Sequence, residues 1–175
     1  MTFVDHPRWR LVLTLVLAVY GWQCLRTPGS YRWLDSLDLA IHETGHLVFA
    51  PFGQTLAMLG GTLLQLLVPA TFIVALWRSE DRHGATVPLW WMGQNCWNIS
   101  VYMKDARTQE LPLVGGGEHD WAFLLGRWDW LEQDQTLGGA VYLMGALLYA
   151  ASVILGWRYA TAHSRPIAAP TSRTQ

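Results

Sequence analysis

The sequence predicts an all-α, polytopic membrane protein with four or five membrane spans and one amphipathic helix at the membrane interface. Of its 175 residues, 51% are hydrophobic and 14% are charged, whereas a soluble domain usually carries about a quarter charged residues. Several of its 11 tryptophans fall near the ends of long apolar runs, as in the aromatic belts of membrane proteins. We expect the lipid bilayer, and no nucleic acid, as a partner.

Four runs of the chain are nearly free of charge and long enough to cross a bilayer as helices, which takes about 20 residues. They are residues 8–25, 55–77, 85–103 and 136–157. The sequence therefore predicts an integral protein of the cytoplasmic (plasma) membrane. Residues 1–161 would form a single helical membrane domain. The polar segment 162–175, rich in Ala, Thr, Ser, Pro and Arg, is expected to be a disordered tail.

The motif His42-Glu43-Thr44-Gly45-His46 lies in a helix predicted over about residues 33–50. Residues four apart share a helix face, so His42 and His46 are expected to bind one metal ion from the same side. Glu43 would reach a metal-bound water without binding the metal. The motif predicts Zn²⁺ as cofactor, His42 and His46 as its ligands, and Glu43 as the catalytic general base.

The alternative interpretation of this motif is a pair of core histidines without metal. Three ionisable side chains in a strongly apolar helix are costly unless they are paired or bound to a metal, which favours the metal site. The helix can cross the membrane as a fifth span or enter it from one side only. In both arrangements the loop 106–135 lies on the side where the helix ends, so the loop can reach the metal.

A catalytic zinc takes three protein ligands, so one ligand must come from outside the motif. Asp105 is the first candidate, because Asn95, Asn98, Tyr102 and Asp105 share one face of the span predicted over about 85–105, and a polar stripe in a span faces inward. The alternatives are that Asp105 is solvated at the interface, or that His119, which follows three glycines, is the third ligand. Asn95 and Asn98 are predicted to position the substrate.

The loop 106–135 carries the predicted interfacial helix. Its apolar residues recur with helical spacing; they are Trp121, Leu124, Leu125, Trp128 and Leu131. Asp120 precedes this stripe and is expected to be the N-cap residue of the helix.

A His-Glu-x-x-His motif embedded among several spans resembles the site-2 protease family of intramembrane zinc metalloproteases. The resemblance rests on His42, Glu43, His46 and the hydropathy around them. It implies a membrane zinc metallopeptidase that hydrolyses peptide bonds in or next to the bilayer, with a membrane protein or a membrane-proximal peptide as substrate. That family takes its third ligand from an aspartate in an Asn-x-x-Pro-x-Pro-x-Leu-Asp-Gly stretch. This chain has no such stretch, and its nearest parallel is Asn95, Asn98 and Asp105, without the prolines and the Asp-Gly pair.

A second function stays open at the level of sequence: a non-catalytic membrane scaffold or regulator whose metal stabilises the fold. Haem binding is disfavoured, because two histidines on one helix face cannot occupy opposite sides of the iron. A carboxylate di-iron site is disfavoured as well, since the Glu-x-x-His pair that such sites use twice occurs here once, at Glu43 and His46.

Overall fold

The computed structural model describes residues 7–113 and 117–162. Within these ranges the chain forms six α-helices and no strand, which confirms the predicted all-α class. The helices are α1 (Pro7–Arg26), α2 (Trp33–Phe49), α3 (Gln54–Arg78), α4 (Thr86–Lys104), α5 (Asp120–Arg127) and α6 (Asp134–Ala162). Short 3₁₀ turns precede α3 and α6. Apart from Ala162, which ends α6, the predicted disordered tail lies outside the described residues.

Two helical segments have the length and composition of membrane spans, Gln54–Arg78 and Leu131–Ala162. They correspond to the second and fourth predicted spans. Only 28% and 17% of their most apolar windows are buried inside the protein, so most of this apolar surface faces outward. Of the other predicted spans, α1 and α4 are helices of 20 and 19 residues that are less apolar than α3 and α6, and α2 has 17 residues.

Helix α4 lies at the centre of the bundle, where it packs against α1, α3 and α6. Its polar side chains are turned inward, and Gln94, Asn95 and Ser100 are all buried. The Ser100 hydroxyl donates a hydrogen bond of 2.7 Å to the Gly138 carbonyl oxygen of α6. A helix surrounded by other helices can carry such a polar stripe, because its polar groups find partners within the protein.

The motif helix α2 packs closely against α3 because glycines line their contact. A Cβ atom on Gly45 would lie 2.2 Å from the Gly60 carbonyl oxygen, which no side chain tolerates. A Cβ atom on Gly61 would lie 2.6 Å from the imidazole of His42. The fourth residue of the motif is therefore a packing residue, and the glycines of α3 leave room for the ring of the first histidine.

Helix α5 is short and packs its apolar face against α3 and α4, instead of leaving that face free for lipid at the interface. Its buried residues belong to a core with α4, formed by Ile99, Met103, Ala106, Trp121, Leu124 and Leu125. The helix ends at Arg127, because Asp129 adopts a left-handed backbone with φ of 58°. The predicted helix was thus too long, and Leu131 belongs to the 3₁₀ turn before α6.

Candidate metal centre

The imidazoles of His42 and His46 converge on the carboxylate of Asp120. The Nε2 atoms of the two histidines lie 2.8 and 3.2 Å from Asp120 Oδ2. One ligand atom from each residue falls within 4.8 Å of the others, and among the described residues these three form the group able to hold a metal ion. His42 and Asp120 are buried and His46 is partly buried, so the group is largely shielded from solvent.

Each histidine has its other ring nitrogen engaged, which directs Nε2 toward the centre. His46 Nδ1 donates to the Ala57 carbonyl oxygen of α3 at 2.8 Å, and this acceptor requires a proton on Nδ1. His42 Nδ1 lies 3.2 Å from Gln65 Oε1. The amide group of Gln65 is itself oriented by its donation to Asn98 Oδ1 at 3.0 Å. Metal-binding histidines usually donate their second nitrogen in this way, which fixes their tautomer and orientation.

Asp120 is the first residue of α5, and the chain around it is held against α4. Its backbone N–H donates to the Tyr102 hydroxyl at 3.1 Å. The neighbouring His119 ring stacks on the Tyr102 ring with centroids 4.1 Å apart. His119, and not Asp120, is the N-cap residue, because its Nδ1 accepts the Ala122 N–H at 3.2 Å. The carboxylate of Asp120 is therefore free to face the two histidines.

The charge state of Asp120 suits a metal ligand. Burial raises the pKa of its carboxyl group, but hydrogen bonds from the Nε2 N–H groups of His42 and His46 outweigh burial and hold the pKa below its ordinary value. The carboxylate is thus ionised at neutral pH. A metal ion bound to Nε2 would replace the protons of these N–H groups. Two imidazole nitrogens and one carboxylate oxygen are a donor set that catalytic zinc sites use, with a fourth position left for water.

The two third ligands predicted from the sequence, Asp105 and His119, lie outside this group of three and face each other. His119 Nε2 is 3.4 Å from Asp105 Oδ2. Asp105 follows the last residue of α4 and accepts hydrogen bonds from the Thr108 hydroxyl and from the backbone N–H groups of Glu110 and Leu111, at 2.7 to 3.0 Å. Its carboxylate therefore shapes the loop that leads toward α5.

The two predicted substrate-positioning residues have different surroundings. Asn98 lines the cavity beside the histidines, with its side-chain oxygen bonded to Gln65. Asn95 is fully buried, and its side-chain amide donates to the Trp91 carbonyl oxygen at 3.0 Å. Asn98 thus helps to orient His42, whereas Asn95 does not line the cavity.

Glu43 lies on the wall of a cavity of about 600 Å³ that also contains the metal-binding group. The cavity is bounded by α2, α3, α4 and parts of the loops on either side. Among its lining residues are Leu39, Met58, Ile99, Val101 and Leu111, so much of the wall is apolar. This volume is within the range of small-ligand and substrate pockets, about 300 to 1,000 Å³.

The sequence analysis did not predict Asp120 as a member of the site, although its position on the apolar stripe of α5 indicated that it would be buried. Asp120 stands four residues before Leu124, so it continues the buried stripe of α5. A carboxylate on a buried stripe needs a partner, whereas an N-cap residue does not have to be buried.

Comparison with protein-family models, curated proteins and solved structures found no match for this chain.

Proposed function

We propose that this protein is a zinc-dependent peptidase that hydrolyses peptide bonds in or next to a membrane. The observation that carries the proposal is the convergence of His42 Nε2, His46 Nε2 and Asp120 Oδ2, with both Nδ1 atoms engaged elsewhere. Asp120 takes the place that the sequence suggested for Asp105 or His119. Glu43 shares the cavity with this group, as a general base must.

A zinc ion held by these three residues would lower the pKa of a bound water toward neutrality and polarise the scissile carbonyl group. Glu43 takes the proton from the attacking water and returns it to the departing amine. His42 and His46 keep their Nδ1 protons, which their acceptors Gln65 and Ala57 hold in place. The peptide must be extended at the point of cleavage, because a helix hides its carbonyl groups in hydrogen bonds.

The membrane setting is supported by the apolar side chains on the outside of the bundle. Several on α1, α3 and α6 are about half exposed or more, which is costly in water and favourable in lipid. They include Val12, Val16 and Val19 of α1, Phe72 and Val74 of α3, and Leu143, Leu147 and Ile154 of α6. We therefore propose that α1 and α4 cross the membrane together with α3 and α6.

The contacts between helix ends favour four crossings over five. His83, just before α4, contacts the Arg10 carbonyl oxygen near the start of α1 at 3.1 Å. Tyr142, near the start of α6, donates to the Leu25 carbonyl oxygen near the end of α1 at 2.9 Å. The short α3–α4 connection thus lies on the side where α1 begins. Helix α3 begins on the other side, which is also the side where α1 ends. Helix α2, which joins these two points, enters the membrane and returns to the same side.

The experiment that tests the peptidase compares wild type with Glu43→Gln after expression in the same membrane. Removal of a general base lowers the rate by roughly a hundredfold to ten-thousandfold. The variant is expected to keep zinc and fold, because Glu43 is not a ligand, and to lose peptide fragments that mass spectrometry detects with wild type. Identical fragment patterns, with zinc retained in both proteins, would contradict the peptidase and favour the metal-stabilised scaffold or regulator.

A further inference from the structure

A second cluster of polar groups lies between α2 and α4; its Asp35 also lines the cavity of the candidate metal centre, whereas Asp38 does not. Asp35 and Asp38 stand one turn apart on α2, and both are buried, Asp38 completely. They face α4, where Trp91 Nε1 donates to Asp38 Oδ1 at 2.8 Å and Gln94 Nε2 donates to Asp35 Oδ1 at 2.8 Å. Asp35 Oδ2 also accepts the Arg32 backbone N–H, so both oxygens of Asp35 are hydrogen-bonded, whereas only Oδ1 of Asp38 is.

Three oxygen atoms of this cluster have no hydrogen-bond partner among the described residues. They are Asp38 Oδ2, Gln94 Oε1 and Asn95 Oδ1, and all three residues are at least nine-tenths buried. The carboxamides of Gln94 and Asn95 lie beside the Asp38 carboxylate. The buried Tyr20 hydroxyl also lacks a partner and lies within the electrostatic influence of Asp35 and Asp38. Three of the acceptors without a donor therefore belong to one carboxylate and to the two carboxamide groups beside it.

The negative charge of Asp38 is not balanced by a basic side chain among the described residues, whereas Arg32 offsets part of the charge of Asp35. No arginine, lysine or histidine forms an ion pair with either carboxylate among the described residues. The basic residue closest in sequence, Arg32, donates its guanidinium hydrogens to carbonyl oxygens of Gln23, Thr27 and Ser30. A buried carboxylate without a counter-charge, here Asp38, is unfavourable, and so are buried acceptors without a donor. A single bound cation would satisfy both needs.

We propose that Asp38, Gln94 and Asn95 bind a hard metal cation, of the sodium, potassium, magnesium or calcium type, with Asp35 adding negative charge nearby. The donors are carboxylate and carboxamide oxygens, which hard cations prefer, and no imidazole or thiolate takes part. Asp38 does not line the cavity of the metal centre. The bound cation ties the start of the motif helix α2 to α4.

The test is thermal unfolding of the purified, zinc-loaded full-length protein in detergent, at fixed pH and at an ionic strength held constant with choline chloride. Sodium, potassium, magnesium and calcium chloride are added in turn. One of these cations is expected to raise the unfolding temperature by several degrees with saturation, because it binds the folded state alone. Asp38→Asn is expected to abolish this response. Glu110→Gln, which changes an exposed acid of the loop after α4, is the matched control and keeps the response.

A second variant tests cation binding independently, in case Asp38→Asn does not fold. Asn95→Leu removes one ligand oxygen and leaves both acids in place, so it is expected to shift the saturation to higher cation concentration. Indifference of the wild-type unfolding temperature to all four cations would overturn the proposal. If that indifference accompanies a stability that falls as the pH rises through neutrality, Asp38 holds a proton in place of a metal ion.

Discussion

At the scale of single residues, Asp120 is the side chain on which the proposed metal centre depends. His42 and His46 share a helix face through their sequence spacing alone, but two ligands do not make a catalytic zinc site. Asp120 brings the third donor and the negative charge, and its oxygen lies within 3.2 Å of both imidazole nitrogens. Asp105 instead holds the loop through hydrogen bonds to backbone N–H groups.

This difference predicts contrasting zinc contents for two alanine variants. Asp120→Ala is expected to lose zinc as severely as His46→Ala, because each removes one of three ligands. Asp105→Ala is expected to keep zinc and to lower the unfolding temperature, because its carboxylate only shapes the loop. Elemental analysis of the purified variants measures the first effect and thermal unfolding the second. Full zinc in Asp120→Ala, together with loss in Asp105→Ala, would restore the ligand suggested by the sequence.

At the scale of secondary structure, the site depends on the close approach of α2 and α3. Gly45 and Gly60 bring the two backbones together, and Gly61 leaves room for the His42 ring. The same pair of helices supplies the Ala57 carbonyl group and Gln65, which orient the two histidines. The position of the imidazoles is thus set by helix packing as much as by the motif.

The expected consequence is that Gly45→Ala destabilises the protein, although alanine is the better helix former. The new methyl group would meet the Gly60 carbonyl oxygen at 2.2 Å, and backbone cannot move aside as a side chain does. Such overpacking costs about 1 to 3 kcal/mol. Gly139→Ala in α6 is the control, because a Cβ atom there meets nothing within 4 Å. Chemical unfolding measures the free energy of unfolding of both variants. Equal stability of Gly45→Ala and wild type would show that α2 and α3 pack less closely than the structure has them.

The helices and the two histidines could be predicted because their signals are local. A run of apolar residues or a spacing of four is visible within one segment of the chain. The proposed third ligand depends on a contact between residues 78 positions apart, His42 and Asp120, and on how α5 packs against α3 and α4. The stripe of Asn98, Tyr102 and Asp105 also pointed toward the site, and yet Asp105 faces His119 because it stands just past the end of α4.

At the scale of the whole molecule, the proposed membrane setting explains an outer surface that is apolar over much of α1, α3 and α6. The polar side chains of α4 are enclosed, while large apolar side chains face outward. This distribution is the reverse of the one in a water-soluble helix bundle. The candidate metal centre lies inside the bundle, in a cavity bounded by helices and by the loops at one end.

A lysine on the outward face of α6 distinguishes lipid from water around the protein. Leu147 lies near the middle of α6 and is 64% exposed. In water Leu147→Lys would change stability by less than about 0.5 kcal/mol, whereas at the centre of a membrane span a lysine costs about 2.5 to 3.5 kcal/mol. We expect a smaller fraction of the variant to resist alkaline extraction from membranes. Trp130→Lys, exposed but outside α6, is the control, and equal extraction of Leu147→Lys and wild type would argue against a lipid-facing α6.

X-ray absorption at the zinc edge of the purified protein measures directly whether His42, His46 and Asp120 hold a zinc ion. We expect about two nitrogen and one or two oxygen neighbours at about 2.0 to 2.2 Å, from His42, His46, Asp120 and a water molecule, with no sulfur neighbour near 2.3 Å. The spectrum of Asp120→Ala should lose this signal together with the metal. A wild-type protein that is folded and free of zinc, or a zinc site with sulfur ligands, would contradict the account.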